Sequence, residues 1–201
     1  MKRNLLWALV VALSITGSAF ALSIDDKVPA TATNVKMKGV DGHELSIADV
    51  AGKSGTLVVF SCNHCPFVKA WQGRIASIGN AAAGKGVGVI VINSNDPTEY
   101  PEDSYGEMQA RAKQLGFTFP YVVDATSGVA RAFDATRTPE AFLFDKDGKL
   151  VYHGAIDDSK EAGAVTKRFL QDAVEAVAAG KDVPVKDTKF VGCGIKFHPK
   201  T

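Results

Sequence analysis

Cysteine is scarce. Three in 201 residues are too few to staple a scaffold, and an odd number cannot pair completely within one chain. An excess of either charge is also missing: 23 Lys and Arg stand against 22 Asp and Glu, a formal net charge of +1. That excludes the strong basic excess on which a nucleic-acid-binding face depends, so no nucleic-acid partner is expected. There is no internal repeat and no low-complexity tract, and the 8 prolines and 19 glycines are ordinary usage. Collagen-like and disordered classes fall away. Beyond the first 21 residues no long apolar run occurs, which excludes a polytopic membrane protein. What remains is 46% hydrophobic and 22% charged, enough chain for one well-buried core and short for two.

The apolar run at the start reads as a processing signal. Lys2 and Arg3 form a positive head, Leu5 to Leu13 an apolar stretch, and Ala19-Phe20-Ala21 a small-x-small end. Ser14, Thr16, Gly17 and Ser18 interrupt the run, and spanning a bilayer needs about 20 predominantly apolar residues. Residues 1–21 are therefore expected to be a signal peptide, cleaved after Ala21. No cysteine follows for a lipid anchor, and no stable membrane insertion is expected after cleavage. Loss of Lys2 and Arg3 takes the charge from +1 to −1. The expected location is exported, periplasmic or secreted, in an oxidising space.

The rest alternates strand and helix. A hairpin is expected across Asp41-Gly42, with Ala48–Ala51 a short helical turn. Thr56–Phe60 is continuously apolar, the pattern of a strand buried on both faces. Phe67, Val68, Trp71, Ile75 and Ile78 recur at helical spacing to about Asn80. Val87–Asn93 is a second buried strand, Glu102 to about Leu115 a helix, Tyr121–Asp124 a strand and Val129–Phe133 a short helix. Ala141–Phe144 and Leu150–His153 flank a hairpin turn. Val165, Phe169, Ala173, Val174 and Val177 mark a last helix stopped at Gly180. This order predicts an α/β fold: a central mixed sheet flanked by helices.

In such sheets the chemistry collects at the carboxyl ends of the strands, where Cys62-Asn63-His64-Cys65 falls. A C-x-x-C opening a helix places a thiol against orphan N–H groups and the positive end of the helix dipole. Thiol pKa values in such motifs run from roughly 3.5 to 7.5. Cys62 is the candidate attacking thiol and Cys65 the resolving one, a catalytic pair that needs no cofactor. A protonated His64 would stabilise the thiolate and make the couple more oxidising. A c-type haem site needs His directly after Cys65, and Pro66 stands there. A copper or zinc site drawn from Cys62, His64, Cys65, Cys193 and His198 lacks a second paired motif. A structural disulfide is the remaining alternative.

These residues resemble the thioredoxin superfamily, and more closely its redoxin branch of alkyl hydroperoxide reductase and thiol-specific antioxidant proteins. The likeness rests on strand Thr56–Phe60, the Cys62–Cys65 motif and its helix, the Asp41-Gly42 hairpin, the insertion Asn93 to Asp124 and Thr138-Pro139. Asn93-Ser94-Asn95-Asp96, Ile156-Asp157-Asp158 and Gly192-Cys193-Gly194-Ile195-Lys196 are similar to a peroxiredoxin-like, thioredoxin-domain subgroup. The resemblance covers about residues 27–197. It implies a thioredoxin-like fold with an N-terminal hairpin and a helical insertion. It also implies a cis bond before Pro139 facing the cysteines, with Thr138 binding substrate backbone. The resemblance divides the chain into a redoxin domain, 27–185, and a tail, 186–201, that carries Cys193.

One departure bears on the reaction. Peroxiredoxins carry threonine three residues before the reactive cysteine and proline four before that; here Val59 and Gly55 occupy those positions. The expected activity is therefore thiol–disulfide exchange with protein or small-molecule thiols and disulfides, with a redox partner to recycle the pair. Thiol peroxidase and metal-binding protein are the alternatives. Cys193, flanked by glycines, either folds over to form a disulfide with Cys62 or Cys65, or serves as a second redox thiol that modulates the pair, or is a buried free cysteine. His43 and His153 are expected to be solvated or structural. Asp157-Asp158 reads as loop polarity, and Phe117–Tyr121 as core.

Overall fold

The computed structural model describes residues 22–200; the expected signal peptide, 1–21, lies outside them. In chain order the elements begin α1 (Ala30–Thr33), β1 (Met37–Gly39), β2 (Glu44–Leu45), β3 (Gly55–Phe60), α2 (Pro66–Ala83) and β4 (Val87–Asn93). There follow α3 (Tyr105–Leu115), β5 (Tyr121–Val123), α4 (Gly128–Phe133), β6 (Arg137–Thr138) and β7 (Glu140–Asp145). The last are β8 (Leu150–Gly154), α5 (Phe169–Ala178) and β9 (Cys193–Gly194).

All six residues of β3 are buried, as its continuous apolar run requires of a strand with helices on both faces. It lies between β4 and β7 in the interior of a seven-stranded sheet of order β2-β1-β5-β4-β3-β7-β8. β3, β4 and β5 run parallel, while β7 pairs antiparallel with both β3 and β8. The β1–β2 hairpin joins the opposite side through β5. Successive strand residues face opposite sides. Leu57 and Val59 therefore enter one core with Trp71 and Ile75 of α2, Met108 of α3 and Leu170 of α5. Val58 and Phe60 enter the other with Ala32 of α1 and Phe133 of α4. There Phe60 meets Phe133 and Phe142 edge-to-face at 5.3 and 5.8 Å. Truncating such a fully buried ring to alanine costs about 3–5 kcal/mol.

Among the described residues the sheet has no further strand beyond β8, yet its edge is covered. Leu150 exchanges backbone hydrogen bonds with Asp25 and Asp26, and His153 with Lys186 and Thr188. The tail then crosses the molecule, where β9 pairs antiparallel with β6 as a separate two-stranded ribbon.

Two boundaries differ from those expected. α5 starts at Phe169 and not near Val165, because Asp158 accepts the N–H groups of Thr166 and Lys167 and holds that stretch out of a helix. The helix expected from Glu102 starts at Tyr105; Pro101–Asp103 is a 3₁₀ turn before it. Asp157 is also more than loop polarity. It is buried, accepts the Trp71 indole N–H at 2.7 Å and pairs with Arg74 at 2.5 Å.

Candidate active site

β3 ends at Phe60, and Ser61 continues its direction by donating to Ile92 O at 2.9 Å. The chain then turns through Cys62-Asn63-His64 to Cys65, which caps α2 ahead of Pro66. Proline is tolerated here because the first helical N–H groups have no partner within the helix. Cys62 is 2% exposed and Cys65 0%, and both carry free thiols.

Opposite them the Thr138–Pro139 bond is cis, as the resemblance implied. Thr138 meets both sulfurs: its Oγ1 lies 3.2 Å from Cys62 Sγ, and its carbonyl accepts from Cys65 Sγ at 3.4 Å. Pro139 also borders a cavity of about 310 Å³ lined by Phe67, Trp71, Ile156, Phe190 and Val191. The backbone of Thr138, expected to receive substrate, is paired here with Cys193 of β9.

A residue that sequence reasoning missed holds the motif in shape. Asp103 is buried, and its Oδ1 accepts the backbone N–H groups of Asn63 at 2.6 Å and His64 at 3.1 Å. Its Oδ2 lies 2.5 Å from His64 Nδ1 and accepts from Asn95 Nδ2 at 2.8 Å. Asn63 in turn donates to Glu102 O and accepts from the buried Tyr121 hydroxyl. His64 stacks on Tyr100, with centroids 4.1 Å apart. His64 was expected to bring positive charge to the thiolate. Beside it stands the Asp103 carboxylate, whose negative charge opposes ionisation of Cys62.

Each of the two thiols shifts the other's ionisation. The hydrogen bond with Cys65, burial and the negative charge of Asp103 push the Cys62 thiol up, while the Thr138 hydroxyl pulls it down. Cys65 is held down at about 4 by Cys62, then by Cys193 and the Val68 N–H. The carbonyl of Thr138 acts the other way, because only a protonated Cys65 can donate to it.

Of the ligands considered for a metal, the structure brings together Cys62 and His64 and adds Asp103, with ligand atoms within 4.8 Å of one another. Both Asp103 oxygens are already taken up by four nitrogen partners, and His198 lies beside Asp96 and Ser127 instead. This donor set fits hydrogen bonding better than a metal ion. His43 is exposed beside Asp41; His153 pairs with Glu140 at 2.8 Å as a structural residue. Val59 and Gly55 lie within the central sheet. A Cβ added at Gly55 would stand 2.3 Å from Phe144 O, so the strand pairing leaves no room for the proline of peroxiredoxins. Among the described residues no helix is long and apolar enough to cross a membrane.

Residues 27–153 match the family model described as the AhpC/TSA family. The thiol-disulfide oxidoreductase ResA of Geobacillus thermodenitrificans (strain NG80-2) is 25% identical over 181 residues, covering 88% of this chain and 94% of the relative. An uncharacterized conserved protein from Geobacillus kaustophilus superposes with a TM-score of 0.82 at 38% identity, over 90% of this chain and 95% of that one. A thioredoxin-like protein solved in its oxidised form superposes at 0.61 with 20% identity, over 78% and 97% of the two chains. The fold is thioredoxin-like.

Proposed function

The chain belongs to the AhpC/TSA family, and on that premise we propose that it is a thiol–disulfide oxidoreductase cycling Cys62 and Cys65 between dithiol and disulfide. The observation that carries this reading is the convergence of both sulfurs on Thr138, the residue before cis-Pro139. Cys62 attacks a sulfur of the substrate disulfide as its proton passes to Cys65. The substrate's other sulfur leaves as a thiolate. Cys65 then loses the proton and attacks Cys62 Sγ, closing the Cys62–Cys65 disulfide and releasing the second substrate thiol. Pro139 borders the cavity and Thr138 contacts both sulfurs, and the two are the substrate-contacting residues in this reading; Asp103 sets negative charge beside Cys62. A partner dithiol or disulfide returns the pair to its starting state.

The missing threonine hydroxyl at Val59 supports exchange over peroxide chemistry, since no side chain there holds a peroxide oxygen against the sulfur. Residues 1–21 are the export signal in this reading, and the oxidising space beyond the membrane is where the cycle runs. The N-terminal sequence of the protein recovered from cells tests cleavage after Ala21. Insulin-disulfide reduction tests the chemistry: Cys62→Ser abolishes it, and full retention would overturn the mechanism. Consumption of hydroperoxide at peroxiredoxin-like rates by the wild type would put peroxidase activity in its place.

A further inference from the structure

The third cysteine does not hang in a free tail. β9 sets Cys193 directly opposite Thr138, the residue that contacts both sulfurs of the pair. Cys193 packs against the cluster formed by Cys62, Cys65 and Val68, and its thiol interacts with that of Cys65. The approach depends on the residue before it. A Cβ at Gly192 would lie 2.4 Å from Thr138 O, so only glycine lets β9 come this close. Arg137 Nη1 donates to Gly192 O at 3.0 Å, and Ile195 N–H to Thr136 O at 3.0 Å. Ile195 is buried in the core, and the Lys196 backbone bonds Asn95 and Asp96. The tail is fixed on both sides of its cysteine.

Exposure separates the three sulfurs. Cys62 and Cys65 are buried, while Cys193 is half-buried.

We propose that Cys193 is a third redox thiol that takes over the disulfide from the buried pair. This rests on the dithiol reading of Cys62 and Cys65. The Cys193 thiolate attacks Cys65 Sγ of the Cys62–Cys65 disulfide. A Cys65–Cys193 bond forms, the Cys62–Cys65 bond breaks, and Cys62 leaves as a thiolate that takes up the proton Cys193 has lost. One disulfide replaces another, so no external oxidant or reductant is needed. Cys62 is then a thiol again, and the oxidised bond stands at the more accessible sulfur until Cys65 is released from it. A recycling dithiol attacks there, at Cys193, and closes its own disulfide as Cys193 and Cys65 become thiols again. In the fully reduced protein Cys193 is held up at about 11 by burial, by its hydrogen bond to Cys65 and by the charge on that sulfur. The last two causes vanish once Cys65 is in a disulfide, while burial, the largest, remains.

Disulfide mapping tests this on the full chain, reduced, reoxidised with oxidised glutathione, acid-quenched, alkylated and digested with trypsin. Cys62 and Cys65 fall on one tryptic peptide, residues 54–69, and Cys193 on another, 190–196. The expected wild-type result is a mixture of the internal 54–69 disulfide and the two peptides cross-linked. Cys62→Ser is expected to give the cross-link alone, which assigns it to Cys65 and Cys193. Cys193→Ser is expected to lose the cross-link and keep the internal disulfide. A wild type with only the internal disulfide, together with a Cys62→Ser variant whose Cys65 and Cys193 end alkylated or glutathionylated, would overturn the relay. Failure of Cys193→Ser to form the internal disulfide would instead sink the dithiol reading beneath it.

Discussion

Two histidine–carboxylate pairs in this molecule are built alike and placed differently. In one, buried Asp103 gives one oxygen to the N–H groups of Asn63 and His64 and the other to the His64 ring. In the other, buried Glu140 gives one oxygen to the N–H groups of Thr136 and Arg137, at 2.9 and 3.0 Å, and the other to His153 at 2.8 Å. Each histidine stacks on an aromatic ring, Tyr100 at 4.1 Å and Phe142 at 4.4 Å. The first pair shapes the Cys62–Cys65 loop and the second the approach to Thr138-Pro139. Together they fix the two backbone segments between which the sulfurs lie. The difference is that the charge of Asp103 reaches Cys62, whereas Glu140 stands behind the cis-proline loop. The same device serves shape in both places and redox chemistry in one.

The largest expected effects test the likeness. Asp103→Ala and Glu140→Ala each leave a histidine and two backbone N–H groups without their acceptor. Breaking such a buried pair from one side costs about 3–5 kcal/mol, to be measured by urea unfolding. A near-wild-type stability in either variant would break the comparison. The next effect tests the difference. Asp103→Asn removes a negative charge that opposes ionisation of Cys62, so the pH midpoint of Cys62 alkylation should fall, by about one unit or roughly 1.4 kcal/mol. Glu140→Gln should leave that midpoint in place; an equal fall would mean the two carboxylates act on the sulfur alike. The smallest effect follows from the second. A stabilised thiolate favours the reduced form, so Asp103→Asn should raise the reduction potential by roughly 30 mV in a glutathione titration.

The parts of this site that lie close in sequence were readable before the structure. Cys62 and Cys65 share one turn at a strand-to-helix junction, and β3 announces itself by the continuous apolar run Thr56–Phe60. Thr138-Pro139 was readable only by family likeness, since nothing local marks a cis bond. Asp103 was not readable. It stands 39 residues from His64 in a polar Pro-Glu-Asp turn that resembles any exposed loop. Glu140 was hidden for a similar reason: a carboxylate at a strand start looks like an exposed end, and only the fold brings His153 against it. Val165 misled because its spacing fits a helix whose start is set by the side chain of Asp158. Cys193 was noticed with the pair as its possible partner, but its place opposite Thr138 was not, because the β6–β9 pairing joins residues that share no pattern.

The tail has a consequence for how copies of the protein meet. β8 ends the sheet, and a bare strand edge invites pairing with another chain. Lys186 and Thr188 occupy the backbone groups of His153 on that edge before the chain travels on to deliver Cys193. Truncation ahead of Lys186 would therefore do two things at once, removing a sulfur from the active site and uncovering a template for self-association. The segment that carries the third cysteine also covers part of the β8 edge.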